Sequence, residues 1–494
     1  MNRTGFDNDQ YLTTQSEQIR KRIEYFGGKL YLEFGGKLFD DFHASRVLPG
    51  FAPDSKIQML RQLKEDVEIV IAINAADIES NKVRGDLGIT YDEDVLRLID
   101  TFREMELYVG SVVLTRYNGQ SAANAFLKRL TSLGIRCYRH YPIAGYPSDV
   151  AHIVSEDGLG KNDYIETSHS LVVVTAPGPG SGKMATCLSQ LYHEHKRGVT
   201  AGYAKFETFP IWNLPLKHPV NLAYEAATAD LNDVNMIDPF HLEAYGKIAV
   251  NYNRDVEIFP VLNAIFEKIQ GSSPYKSPTD MGVNMAGNCI FDDDACREAS
   301  RMEILRRYYT ACVNRLKGKG DDTEIQKLEL LMNQSGTSPE IFPAVSAALL
   351  KAETTGEPAG AMCLPDGRVV TGRTSSTLGA ASALLLNALK AMAGIGDEFA
   401  LISASVLEPI CDLKTRYLLH RNPRLHTDEV LMALTISALT NPLAAKAQEE
   451  LAHLRGSDAH FTVVLSDEDE KLLKRLGINV SCEPQYETKR LYHK

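Results

Sequence analysis

The chain lacks most of the features that would settle its class at a glance. Its 494 residues contain no run of eighteen apolar residues, so no membrane-spanning helix is expected. Tryptophan occurs once. The eight cysteines form no C-x-x-C pair, which argues against a cysteine-built zinc site and for reduced thiols. Basic charge is in deficit: 53 Lys and Arg stand against 64 Asp and Glu, a formal charge of −11. Contact with a phosphate backbone relies on the opposite balance, so nucleic acid is not an expected partner. Met1 to Asp7 has no apolar signal-peptide core, and a cytoplasmic location is expected.

What remains is an ordinary globular composition, 44% hydrophobic and 24% charged. Within it one stretch stands out. Leu171-Val172-Val173-Val174-Thr175 reads as a strand buried on both faces of a parallel sheet, because β-branched valines fill such a strand well. Ala176-Pro177-Gly178-Pro179-Gly180-Ser181-Gly182-Lys183-Met184 stops it, and helix formers follow from Ala185 to His195. Strand, glycine-rich turn and helix is the setting in which freed backbone N–H groups, a helix N-terminus and a lysine converge on an anion. Gly178, Gly180, Ser181, Gly182 and Lys183 are therefore the predicted contacts to ATP, another nucleotide or another phosphorylated small molecule. The loop departs from a P-loop in two ways. Pro177 stands where the first glycine belongs, and Met184 replaces the hydroxyl that would hold Mg²⁺. Phosphate binding is better supported than Mg-nucleotide hydrolysis.

The rest of the chain alternates strand and helix patterns. Val67 to Ile73, Val112 to Thr115, Ile135 to Tyr138 and Val199 to Phe206 read as strands between amphipathic helices. This predicts an α/β fold with a mainly parallel, doubly wound N-terminal domain over 1–270 that holds the P-loop-like turn. A helical subdomain is expected over 271–355 and a second α/β domain over 356–494, with strands at 399–402 and 461–465. An echo, Phe26-Gly27-Gly28-Lys29-Leu30 and Phe34-Gly35-Gly36-Lys37-Leu38, brackets the strand at 30–34 and reads as two solvated turns.

The acidic segment 230–243 allows two readings. Asp233, Asp238 and His241 have donors that suit a divalent metal, with Asp238 and His241 as catalytic candidates. Alternatively Asp238-Pro239 starts a helix, Asp as N-cap and Pro in the first turn, and this is the preferred reading.

Tyr31-Leu32-Glu33-Phe34-Gly35-Gly36-Lys37, Val173 to Lys183, Val234 to His241 and Arg421-Asn422-Pro423-Arg424-Leu425-His426 resemble a widespread family of uncharacterised bacterial proteins. The similarity spans essentially the whole chain and implies a cytoplasmic bacterial protein with tandem α/β domains. Members are sometimes loosely labelled ATP-dependent peptidase-like. Here there is no H-E-x-x-H, and His193-Glu194-His195 does not place two ligands on one helix face. Three functions are carried forward: an enzyme acting on a nucleotide or other phosphorylated small molecule, a metal-dependent hydrolase built on 230–243, and a non-catalytic phosphometabolite sensor. No membrane partner is expected, and a homo-oligomer is admitted as the assembly.

Overall fold

A computed structural model describes residues 3–36, 38–39, 41–84, 87–231 and 233–488. The chain divides into two compact units, one made of Gly5–Glu225 and Asn232–Arg297, the other of Glu298–Lys494 with Met1–Thr4 and Ala226–Leu231.

The first unit is built on seven strands: β1 (Leu30–Phe34), β2 (Val67–Asn74), β3 (Tyr108–Thr115), β4 (Cys137–Arg139), β5 (Leu171–Thr175), β6 (Gly202–Phe206) and β7 (Gly282–Val283). They lie in the order β7-β6-β1-β5-β2-β3-β4, and every pairing is parallel. β1, β2, β5 and β6 are buried along their whole length, as the apolar runs of β2 and β5 require. The chain moves outward from β2 through β3 to β4, returns to β5, and leaves through β6 to β7 on the other side. Adjacent strands β5 and β2 thus send their connections in opposite directions. That is where an open α/β sheet has a crevice at its carboxyl edge.

One face of this sheet is unusually polar. Parallel register sets Tyr31 beside Tyr203 and Glu33 beside Lys205, so these four side chains share a face. Helix α1 (Lys183–Lys196) covers it, and the Tyr31 hydroxyl donates to buried Glu194 of that helix at 2.6 Å. On the opposite face Phe34 and Phe206 stack with centroids 4.2 Å apart, an apolar contact of the ordinary kind.

The second unit holds a mixed four-stranded sheet of β8 (Ala359–Cys363), β9 (Val369–Arg373), β10 (Asp458–Phe461) and β11 (Asn479–Cys482), in the order β9-β8-β10-β11. Pro365-Asp366-Gly367 makes the turn between antiparallel β8 and β9. The helices Asp322–Ser335 and Pro343–Thr355 belong to this unit, the latter packing on β8.

Two predicted strands are corrected. Phe399 to Ile402 is irregular: its carbonyls at Ala400 and Leu401 accept from the Asn441 side chain (3.3 and 3.2 Å) and the segment joins no sheet. The strand expected at 461–465 ends at Phe461, after which Val464 N–H bonds to Gln485 and the ladder is left. Lys37 of the glycine–lysine echo lies outside the described residues. Among the described residues no helix is long and apolar enough to cross a membrane, and all eight cysteines are free thiols.

Candidate functional site

The loop after β5 is held by short, specific contacts. Thr115, the last residue of β3, donates its hydroxyl to the Ser181 carbonyl at 2.7 Å, and Ser181 donates its own to the Gly178 carbonyl at 2.8 Å. Ser181 is fully buried, so its side chain shapes the loop from within. Gly178 lies against the Tyr91 ring, and a Cβ there would stand 2.3 Å from the phenol oxygen. Gly182 adopts φ +85° and is packed on Thr115, while Gly180 at φ +73° faces open space. Glycine is required at both for the left-handed backbone, and at Gly178 for the close approach.

Gly182 is also the N-cap of α1, and no side chain caps that helix. Its first N–H groups therefore point out of the carboxyl edge beside Gly180. Half-buried Lys183, the first residue of the helix, has no ion-pair partner among the described residues. The remaining strands end around this loop. Asn74 closes β2 by capping the helix that follows, its side chain accepting from Ala76 N–H at 2.9 Å. Arg116 follows β3 with φ +51°.

A second group, not expected from the sequence, occupies the carboxyl ends of β1 and β6. Lys205 Nζ lies 2.8 Å from Glu207 Oε1, donates to Asp255 Oδ2 and to the Tyr252 hydroxyl, and sits 4.6 Å from the Tyr252 ring centroid. Glu33, its register neighbour, accepts from the Tyr203 hydroxyl at 2.7 Å. Three carboxylates thus surround one ammonium, with about 10% of the Lys205, Glu207 and Asp255 side chains accessible. Burial by itself lowers the Lys205 pKa; Asp255 and Glu207 more than offset this and hold it well above the ordinary range. Burial pushes the Glu207 carboxyl up to about 7, and the Asp255 charge adds to that against the pull of Lys205.

The two groups are electrostatically joined. The buried Cys187 thiol, one turn into α1, is raised by burial and by Glu33 and lowered by Lys183, so both charges bear on one atom. Tyr146 is raised by burial and Glu33 and lowered by Arg116. The Glu33 carboxylate is thus felt at both buried groups, opposed by the loop lysine at one and by the β3-end arginine at the other.

The acidic segment is arranged differently. Asp238 caps the helix Pro239–Tyr245, accepting from His241 N–H at 3.0 Å, and its second oxygen accepts from the Thr279 hydroxyl at 2.6 Å and Thr279 N–H at 3.2 Å. His241 Nδ1 lies 3.1 Å from Ser277 Oγ, and Asp233 pairs with Arg254 at 2.7 Å. Each of the three is engaged with its own neighbours. Among the described residues no group of three or more His, Cys, Asp or Glu is placed to hold a metal ion.

At the amino end of the sheet, Lys29 of the first glycine–lysine echo pairs with Glu194 at 2.8 Å. It takes no part in the crevice.

Comparison with known proteins agrees with the resemblance. Residues 4–336 match the family described as Domain of unknown function DUF1846, N-terminal, and residues 340–492 its C-terminal counterpart. The chain is 58% identical over 494 residues to UPF0371 protein stu1377 of Streptococcus thermophilus, covering 100% of both chains. It is 58% identical over 492 residues to a UPF0371 protein of Streptococcus equi subsp. equi, again with 100% of both covered. UPF0371 protein SUB1165 of Streptococcus uberis is likewise 58% identical over 494 residues, with 100% of each chain covered. The chain belongs to this DUF1846 family of bacterial proteins.

Proposed function

We propose that this DUF1846 member binds a phosphorylated small molecule, ATP and other nucleotides being within that class, at the carboxyl edge of its parallel sheet. The backbone of Gly178–Gly182, the N-terminus of α1 and the Lys183 ammonium take the phosphate. The group around Lys205 handles protons for the rest of the ligand, which makes the reading that of an enzyme. The observation that carries it is the pairing of an uncapped fourteen-residue helix with a lysine that has no ion-pair partner among the described residues, at the point where the strand connections diverge. Met184 offers no oxygen to a hard cation, so a Mg²⁺ accompanying a nucleotide draws its protein ligands from elsewhere.

Glu207 supports the proton-transfer half. A carboxyl that titrates near neutrality serves as donor or acceptor at the pH of the cell. Lys205, held charged, steadies whichever anion forms beside it.

Calorimetric titration with inorganic phosphate, ATP and a panel of phosphorylated metabolites tests the reading on wild type and Lys183→Ala. The expected loss is about 1–3 kcal/mol of binding, the range for a charge-assisted hydrogen bond. Identical responses of the two proteins to every ligand would remove the phosphate site. Binding without turnover would leave a sensor.

A further inference from the structure

Residues 421–426, one of the stretches that carry the family resemblance, take no part in the phosphate site. They lie at one edge of the second sheet. β8 is antiparallel to both β9 and β10, and β10 is parallel to β11, so β9, β10 and β11 run the same way and end at one edge. Leu425 forms a parallel bridge with Leu378 in the loop after β9, and its side chain is buried. Extended backbone alternates its side chains, so Arg424 and His426 both turn away from the core. They are 30% and 32% exposed.

A framework of buried polar groups holds this stretch. His426 caps the helix α2 (Thr427–Ala438), and Asp469 lies in the first turn of α3 (Asp467–Arg475). Asp469 Oδ2 lies 3.1 Å from His426 Nδ1 and accepts from the Ser466 hydroxyl at 2.8 Å, while Oδ1 accepts from Thr427 N–H at 2.8 Å. Burial raises the Asp469 carboxyl, but these bonds and the His426 charge outweigh it and hold it below the usual carboxylate range. The bond to Asp469 in turn raises His426 above its ordinary pKa, against burial and the Lys414 charge. The Glu429 carboxylate accepts from His426 N–H and from buried Lys414, each at 2.7 Å, and Lys414 also donates to the Arg424 carbonyl at 2.7 Å. Lys414 comes from one turn of π-helix, Leu413–Tyr417, and Leu419 beyond it adopts φ +57°, a strained backbone for a residue with a Cβ. Such turns and such strain gather at functional sites. What the framework presents outward is the Arg424 guanidinium and His426 Nε2, and Nε2 has no hydrogen-bond partner among the described residues.

Arg424 already holds a carboxylate. Its Nε donates to the Ser375 carbonyl at 3.0 Å, which fixes the guanidinium, and Nη1 donates to Glu487 in the segment after β11. That segment is tied down before it reaches Glu487, by Glu483 N–H on the Phe461 carbonyl (2.8 Å) and Val464 N–H on the Gln485 carbonyl (2.9 Å). The Glu487 side chain has no other partner among the described residues, so its carboxylate can leave while the segment stays. Charge sets the kind of anion that replaces it. Exposed Arg373, His420 and Arg421 adjoin the site along the chain, but so do exposed Asp428, Asp467 and Glu468, with Lys317 3.9 Å from Asp467. Without an excess of positive charge, a singly charged carboxylate is favoured over a phosphate dianion. We infer that the second unit binds a small carboxylic acid here, its carboxylate on the Arg424 guanidinium and the His426 Nε2–H, and that Glu487 holds Arg424 while the site is free. Paired N–H donors on a guanidinium suit that group, and a charged imidazole adds a third.

Nuclear magnetic resonance of the full-length protein, labelled with carbon-13 at histidine Cε1, reads this site directly. The His426 signal is identified as the one absent from His426→Gln. The probes are acetate and inorganic phosphate at matched ionic strength and pH 7.5. Acetate is expected to move the His426 signal toward its protonated position, because a bound anion favours the charged imidazole. Glu487→Gln removes the internal carboxylate and should bind acetate at least fivefold more tightly than wild type. Adding Arg424→Gln to that variant should abolish the response, with far-UV circular dichroism unchanged. Phosphate should bind at least fivefold more weakly than acetate. A His426 signal in Glu487→Gln that acetate leaves in place, or a response that persists without Arg424, overturns the site. Phosphate binding as tightly as acetate overturns the choice of a singly charged anion.

Discussion

At the scale of single residues, the most informative group is Glu207, because its raised pKa ties stability to pH with a definite sign. The folded state keeps the Glu207 proton up to about pH 7, whereas an unfolded chain releases it near 4.5. Between those values the native state binds more protons than the unfolded one, so this residue lowers stability as pH rises through the window. Glu207→Gln cannot titrate. Its stability relative to wild type should climb from pH 4.5 to 7, by up to about 3 kcal/mol, the energy equivalent of the shift. Urea unfolding at a series of pH values measures this, and a difference that stays flat would mean Glu207 is ionised throughout. Asp238 gives a second prediction. Asn caps a helix about as well as Asp, so a cap alone would make Asp238→Asn nearly silent. Here the second carboxylate oxygen also accepts two Thr279 donors, and an amide would set N–H against N–H. A cost of about 1–3 kcal/mol in chemical denaturation is expected, the penalty for a buried polar group left unpaired. A silent substitution would show that the Thr279 tie carries no weight.

At the scale of elements, the loop between β5 and α1 depends on a close fit that one methyl group tests. Gly178→Ala would drive its Cβ into the Tyr91 ring, and an overpacked site of this kind costs about 1–3 kcal/mol. Because the clash is with one ring, Gly178→Ala and Tyr91→Ala should be strongly non-additive in thermal unfolding, the double variant being more stable than the sum of the two predicts. Additive effects would place the strain elsewhere. This loop was legible beforehand because its information is local: a valine run, a glycine-rich turn and a helix start are adjacent in the chain. The Lys205 group was not, because it is assembled from three distant segments: parallel pairing of β1 with β6 brings Glu33 beside Lys205 and Glu207, and Tyr252 and Asp255 reach Lys205 from further along the chain. A signal for it did exist. Tyr31-Leu32-Glu33 and Tyr203-Ala204-Lys205-Phe206-Glu207 alternate polar with apolar residues inside strands that a doubly covered sheet would otherwise fill with hydrophobes. The segment at 399–402 misled for the opposite reason. Leu401 and Ile402 are buried as loop residues, and burial alone does not distinguish a loop from a strand.

At the scale of the molecule, the alternation of patterns foretold the α/β class and the second sheet but not the strand order, since order depends on contacts between distant segments. That order has a consequence for partial chains. Both neighbours of β1 come late: Leu30 pairs with Leu171 on one side and Gly202 on the other. A fragment of residues 1–160 would contain β1 to β4 yet leave β1 with no partner and β2 with only one. Such a fragment should lack cooperative unfolding in calorimetry, whereas 1–297 should regain it; a cooperative transition in the shorter piece would mean that β2 to β4 form a sheet independently.

The same order bears on how the protein is made. During synthesis the β1 segment must wait for 141 further residues before its first neighbour exists, the span from Leu30 to Leu171. At the usual pace of translation that is roughly 7–30 s with an apolar segment emerged and unsatisfied. Tyr31-Leu32-Glu33-Phe34 spends that interval beside the ribosome, where Glu33 is the one charge that opposes its pairing with another nascent chain. The carboxylate that ends up buried beside Lys205 would serve first as a guard on the growing polypeptide.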